Sequence, residues 1–232
     1  MTYTVIAGCA RTGQLGIGIA TYSLAVGGYC PAIRGGLGAV STQAFVNLKL
    51  GNLALRLMDL GYSPDKVMSE LREDDSDFSY RQVGIVNTEN VVSVHTGSNT
   101  RPWAGHLAGE GYIVMGNVLA GEGVVQAMAE TFEKKEQVDL DERLLDTLEA
   151  GRDAGGQATA GGIHLNERSA AIIIHSHRDF GHIDLRVDAS EAAVDELRRV
   201  HGTYKPFIPY YEMRHHQPQD APPQDIWARD NL

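Results

Sequence analysis

The chain has 232 residues, enough for one large domain that buries roughly 70% of the surface exposed when unfolded. Hydrophobic content of 43% and charged content of 22% are ordinary for a globular protein, while 20 Lys plus Arg against 30 Asp plus Glu give a formal charge of −10. That field repels phosphate backbones and anionic lipid, which argues against nucleic acid and membrane as partners, and no apolar run reaches the roughly 18 residues of a membrane span.

The N-terminus, Met1-Thr2-Tyr3-Thr4-Val5, has neither the basic flank nor the apolar stretch of a secretion signal. Cys9 and Cys30 are the two cysteines, too few for a disulfide framework or a zinc knuckle. The cytoplasm is the expected compartment. Tyr3 to Cys9 and Leu15 to Tyr22 are β-rich runs joined by Ala10-Arg11-Thr12-Gly13, which reads as a hairpin. A glycine-rich link, Gly27 to Gly36, leads to a third strand at Gly38 to Phe45. Val46, Leu50, Leu53, Leu57 and Leu60 recur at helical spacing until Gly61. Ser63-Pro64 starts a second helix, serine as cap and proline in its first turn.

Strands return at Arg81 to Val86, Val91 to Thr96 and Tyr112 to Met115. Two helices follow, marked by Val124, Val125, Met128 and Phe132, then by Leu140, Leu144, Leu145 and Leu148. Ala170 to His175 and Ile183 to Val187 read as a last hairpin, and a helix capped by Ser190 runs through Val200. Hairpins separated by helix pairs imply an α+β domain, antiparallel sheet with helices packed on it. From residue 204 to 232 the composition shifts to prolines beside Phe207, Tyr210, Tyr211 and Trp227. This reads as an extended arm that packs on its own domain, residues 1 to 203, or on a neighbouring subunit.

Chemistry-bearing patterns are few. The glycine-rich stretches lack the Lys-Ser/Thr of a phosphate loop and the spacing of a dinucleotide fingerprint. No Gly-x-Ser-x-Gly elbow is present. His175 and His177 would share one face of a strand and, with Asp179 and His182, suggest a metal site; the plainer reading is a strand entering a polar turn. Thr42 and Gln43 interrupt an apolar strand with polar atoms that need partners or a ligand. His95-Thr96 ends a strand, and His106 and Glu110 follow in a loop, where binding groups often sit. Each of these also reads as a hydrogen-bonded structural residue.

The strings GQLGIGIAT, LAVGGYCPAIRGGLGAVSTQAF, RQVGIVNTENVVSVHTGS, WAGHLAGEGYIVMGNVLAG and DLRVD occur in this order. Together they resemble the bacterial family catalogued as domain of unknown function 1028, assigned to the N-terminal-nucleophile (Ntn) hydrolase superfamily. The resemblance runs from about residue 2 to about residue 200 and implies a four-layer αββα sandwich. It implies that Thr2, exposed by removal of Met1, attacks an amide carbonyl while its own α-amino group takes the proton. It also implies a basic residue some thirty positions into the chain, and Arg34 stands there in place of the usual lysine. Between Gly155 and Ser169, where relatives carry Arg-Gly-x-Gln-Ser-Ala, this chain has Asn166-Glu167-Arg168-Ser169-Ala170.

The leading expectation is an amide hydrolase acting on a small molecule or peptide through Thr2 and Arg34. Thr42, Gln43, His95, Thr96, His106 and Glu110 would bind the substrate. The same fold as a non-catalytic binding protein is the alternative, and a metal hydrolase on His175 and His177 the third. No cofactor is expected, and a homo-oligomer is.

Overall fold

A computed structural model describes residues 1–176 and 181–232 of the chain. β1 (Thr2–Cys9) and β2 (Gln14–Thr21) form the expected hairpin, in register from Thr2 opposite Thr21 to Cys9 opposite Gln14. The free edge of β1 takes β8 (Tyr112–Asn117), which carries β7 (Ala104–Gly109). The free edge of β2 takes β11 (Ser169–His175) and then β12 (Gly181–Val187). All five pairings are antiparallel, giving a six-stranded sheet β12-β11-β2-β1-β8-β7. A second antiparallel sheet has the order β3 (Pro31–Arg34), β4 (Gly38–Ala44), β5 (Arg81–Asn87), β6 (Val92–Thr96). A short pair, β9 (Gln157–Ala158) and β10 (His164–Leu165), lies apart from both.

Strand alternation sorts side chains into layers. Tyr3, Val5 and Ala7 of β1 join the core beneath α3 (Glu122–Lys134), α4 (Leu140–Asp153) and α5 (Ala193–Tyr204). Ile6 points the other way, with Ile17, Ala39, Val86, Ile113 and Met115, into a layer between the two sheets. Val40, Val83 and Ile85 form a third core beneath α1 (Leu48–Asp59) and α2 (Pro64–Asp74). The result is the four-layer αββα sandwich implied by the resemblance. Asn47 and Ser63 cap α1 and α2, accepting from the Lys49 and Lys66 amides at 3.1 and 3.4 Å.

Close approach between layers depends on missing side chains. A methyl at Gly16 would stand 2.8 Å from Leu144 of α4, and one at Gly84 would stand 2.8 Å from Ile6 across the inner layer. Charge fastens α5 to α4: Arg198 reaches Glu142 and Asp146 at 2.5 Å and Glu149 at 2.7 Å. Asp141, Glu142 and His201 come close enough together to hold a metal. Lys205 already stands 2.9 and 3.0 Å from the two carboxylates, so that trio is charge-compensated.

Strands β3 and β7, the short β9–β10 pair and the tail differ from the sequence reading. β3 and β7 were hidden in a glycine-rich link and a loop; both are edge strands, where Pro31 costs no ladder bond and where Gly105 and Gly109 break the alternation. The tail is helical, with α6 (Ile208–His216) and α7 (Gln224–Asn231), rather than extended. Its prolines start helices: Pro209 lies in the first turn of α6, and Pro223 immediately precedes α7. Tyr210 and Trp227 are buried against each other, while Phe207 and Tyr211 are half-buried. Ile208 packs on the main core of the same chain. Among the described residues no helix is long and apolar enough to cross a membrane.

Gly84→Val tests the inner layer. It should cost about 1–3 kcal/mol through overpacking, and lower the Tm by roughly 2–4 °C for each kcal/mol lost. Calorimetry would detect this.

Candidate functional site at the head of β1

The inner layer is apolar along most of its length and polar at one end. Thr2 and Thr4 of β1, Gln43 of β4, Gln82 of β5, Thr96 of β6 and Asn117 of β8 all meet there. The side chains of all but Thr2 form one hydrogen-bonded chain. The Thr4 hydroxyl donates to Gln43 Oε1 at 2.5 Å, and Gln43 Nε2 donates to Gln82 Oε1 at 2.8 Å. Asn117 Nδ2 donates to the same Gln82 oxygen at 3.1 Å. Gln82 Nε2 shares its two protons among Thr96 Oγ1 (2.9 Å), Gly116 O (2.9 Å) and Gly105 O (3.1 Å). Thr96 Oγ1 lies 2.8 Å from His106 Nδ1.

The chain terminus enters this network. The Met1 α-amine donates to Asn117 Oδ1 at 2.7 Å. The Thr2 hydroxyl donates to the Met1 carbonyl at 2.6 Å and lies 3.1 Å from Thr21 Oγ1. Thr21 also donates to the Met1 carbonyl. Burial lowers the amine from 8.0 to about 6; Cys30 opposes that shift and Arg101 adds to it. The nearby Cys30 thiol is pushed up to about 12 by burial, which keeps it protonated and a poor nucleophile.

Of the residues singled out in the sequence, Thr2, Gln43, Thr96 and His106 come together here. Thr42 and His95 do not. Alternation turns Thr42 to the α1–α2 side of its sheet, where its hydroxyl is buried without a partner among the described residues. His95 lies opposite Val83 on that same face, stacks on Phe78 at 4.4 Å and faces the Phe78 carbonyl at 3.2 Å. Burial lowers its pKa. Arg34 lies away from Thr2. β3 begins next to Cys30, whose carbonyl accepts from Thr42 N, and runs away from Thr2. Arg34 therefore ends beside the turn, half-exposed and paired with Asp59 of α1 at 2.9 Å. Arg101 is the cation that acts on the amine.

Glu110 lies away from Thr2 as well. It sits in the β7–β8 turn, at the opposite end of β1, in a cleft of about 330 Å³ that it shares with Cys9, Arg11 and Arg143. His175 closes β11, whereas His177, Asp179 and the side chain of His182 lie outside the described residues. Thr21, Gln82, Asn117 and Arg101 were missed. Gln82 and Asn117 did carry a signal, amides within otherwise apolar strands, but near strand ends such residues read as turn-formers.

The depressed amine is testable by linkage. Its folded pKa lies below the unfolded 8.0, so the folded state binds fewer protons between pH 8 and 6. Stability is full above about pH 8 and is lost as pH falls through about 6, by roughly 2–3 kcal/mol. Urea unfolding of the Met1-bearing protein should show this slope. An Nα-acetylated form should lack it, and Asn117→Asp, by raising the folded pKa toward 8.0, should shrink it.

The crystal structure of protein SPO2555 from Silicibacter pomeroyi superposes with a TM-score of 0.79 at 24% identity, covering 88% of this chain and 86% of that one. Much looser overlaps are found with HslV from Trypanosoma brucei (TM-score 0.46, 9% identity, 76% and 100% coverage) and Anbu from Yersinia bercovieri (0.42, 10%, 87% and 93%). Those two carry no weight for the chemistry. No curated protein matches the chain. The model of a family of unknown function, DUF1028, matches residues 2–197, and the chain belongs to that family.

Proposed function

We propose that the protein is an N-terminal-nucleophile amide hydrolase, with Thr2 as the first residue of the active chain. One observation carries the reading: the Thr2 hydroxyl lies buried at the head of β1, between the sheets, beside an α-amine that burial lowers to about 6. An amine so placed is neutral at pH 7 and competent as a base.

With Met1 removed, the nitrogen of Thr2 becomes that amine. Asn117 Oδ1, which orients the Met1 amine in the longer chain, stands on the neighbouring strand directly opposite Thr2. The amine takes the hydroxyl proton as Oγ1 attacks the carbonyl of an amide or peptide bond. It returns that proton to the leaving nitrogen, leaving an ester on Thr2. Water, deprotonated by the same amine, then hydrolyses the ester. Gln43, Thr96 and His106 line the polar end and are assigned to substrate. Action as a cytoplasmic homo-oligomer belongs to the same reading.

A second reading has its own observation. With Met1 in place the Thr2 hydroxyl proton is committed to the Met1 carbonyl, and the Thr2 nitrogen is an amide with no basicity. In that form the site can only bind.

Intact mass separates the two. The active protein should begin at Thr2, and Thr2→Ala should abolish hydrolysis of its amide substrate while leaving the fold unchanged. Thr2→Ser should keep part of the rate. Arg101→Met should raise the amine pKa and move the acid limb of the pH–rate profile upward, whereas Arg34→Met should leave it in place. Full activity in a chain that retains Met1 would defeat the Ntn mechanism.

A further inference from the structure

The cleft at the far end of β1 contains a buried cation that makes no ion pair among the described residues. Arg143, in the first turn of α4, is 6% exposed. Its guanidinium lies 3.8 Å from the centroid of the Phe132 ring, and Nη2 donates to the Phe132 carbonyl at 2.9 Å. Nε is buried with no partner, and no carboxylate forms an ion pair with Arg143 among the described residues. A helix N-terminus disfavours a cation, so Arg143 gains nothing from the dipole of α4. Burying a guanidinium with donors unmet is costly, and cation–π contact with one ring returns only part of that cost.

Carboxylates are near but do not close on it. Glu110, Glu133 and Glu136 line the same cleft. Glu133 is held by the Tyr112 hydroxyl at 2.6 Å, and Glu136 and Glu110 are exposed. Arg11, at the rim, turns outward to Asp139 at 3.2 Å. The cavity therefore has a fixed cation at its buried end and acidic groups around it. Its volume of about 330 Å³ is at the small end of ligand sites.

We infer that this cleft binds a small zwitterion, a free amino acid or a very short peptide, with its carboxylate on Arg143 and its ammonium among Glu110, Glu133 and Glu136. The carboxylate meets the guanidinium where Arg143 lines the cleft and supplies the anion that no ion pair provides. The lowering of the Arg143 pKa by burial agrees with a charge awaiting its partner. β1 has eight residues, so the cleft is roughly 25 Å from Thr2 at strand rise. It is a second site, independent of the reaction proposed there.

Calorimetry and thermal shift on the full chain test this with diglycine and 4-aminobutyrate as zwitterions, and butyrate and butylamine as single-charge controls. Both zwitterions should bind at millimolar concentration or tighter, and the controls at least about tenfold more weakly. Arg143→Met should abolish the response while leaving the Tm of the free protein unchanged or higher, since it removes an uncompensated buried charge. The double change of Glu110→Gln and Glu136→Gln, at exposed positions, should weaken zwitterion binding and spare butyrate. It decides the matter even if Arg143→Met does not fold. Thr2→Ala should bind like the unaltered protein, which separates this site from the one at Thr2. Failure of both zwitterions to bind, or butyrate binding as tightly as diglycine, would overturn the inference.

Discussion

Gln82 reaches from β5 into the layer between the sheets, and its single amide joins strands from both. Its oxygen takes protons from Gln43 and Asn117; its nitrogen gives them to Thr96 and to backbone carbonyls of β7 and β8. The remainder of that layer is Ile6, Ile17, Val86, Ile113 and similar side chains, which attract without direction. Apolar faces alone would tolerate small slides of one sheet over the other. An amide that must find specific partners does not, because each buried donor or acceptor left unmet costs about 1–3 kcal/mol. The network therefore sets the relative position of the sheets at the end where Thr2 lies, and the site geometry follows from it.

Its composition matters as much as its connectivity. The chain carries a formal charge of −10, yet none of the hydrogen bonds that link Met1, Thr2, Thr4, Gln43, Gln82, Thr96 and Asn117 involves a carboxylate. A carboxylate beside the amine would hold its proton and raise its pKa. Neutral amides orient the amine without doing so, which leaves burial free to lower it. Arginine at position 101 adds to that effect from outside the layer, and neither it nor the amides can act as a competing base.

Much of the fold was legible because its central strands and helices carry strong periodicity. β1, β2 and α1 are bounded in the sequence by turn residues and a glycine, and they lie close to where alternation and helical spacing put them. Edge strands carry less of that signal, so β3 and β7 passed as loops, and the prolines of α6 and α7 suggested extension where they start helices. The site was half legible for a related reason. Thr42 and Gln43 look equal as polar interruptions of one strand, but adjacent strand residues face opposite ways, so only Gln43 joins the network. Arg34 looked well placed by distance along the chain, although the hairpin at residues 34–38 carries it to the opposite end of the sheet. Distance along the chain is silent on strand direction.

The two ends of β1 apply the same force to different bases. At Thr2 the sandwich desolvates an α-amine, whose ordinary pKa of 8.0 is near enough to neutrality that burial makes it lose its proton. At the other end α4 and Phe132 desolvate a guanidinium, whose ordinary value lies so far above neutrality that burial lowers it without neutralising it. The first group answers desolvation by becoming a base; the second stays charged and can answer only by acquiring an anion. The helix offers none, because its own acidic residues in the first turn, Asp141 and Glu142, are engaged with His201, Lys205 and Arg198. Among the described residues no carboxylate closes on Arg143, and the cleft beside it is open to a ligand and to water.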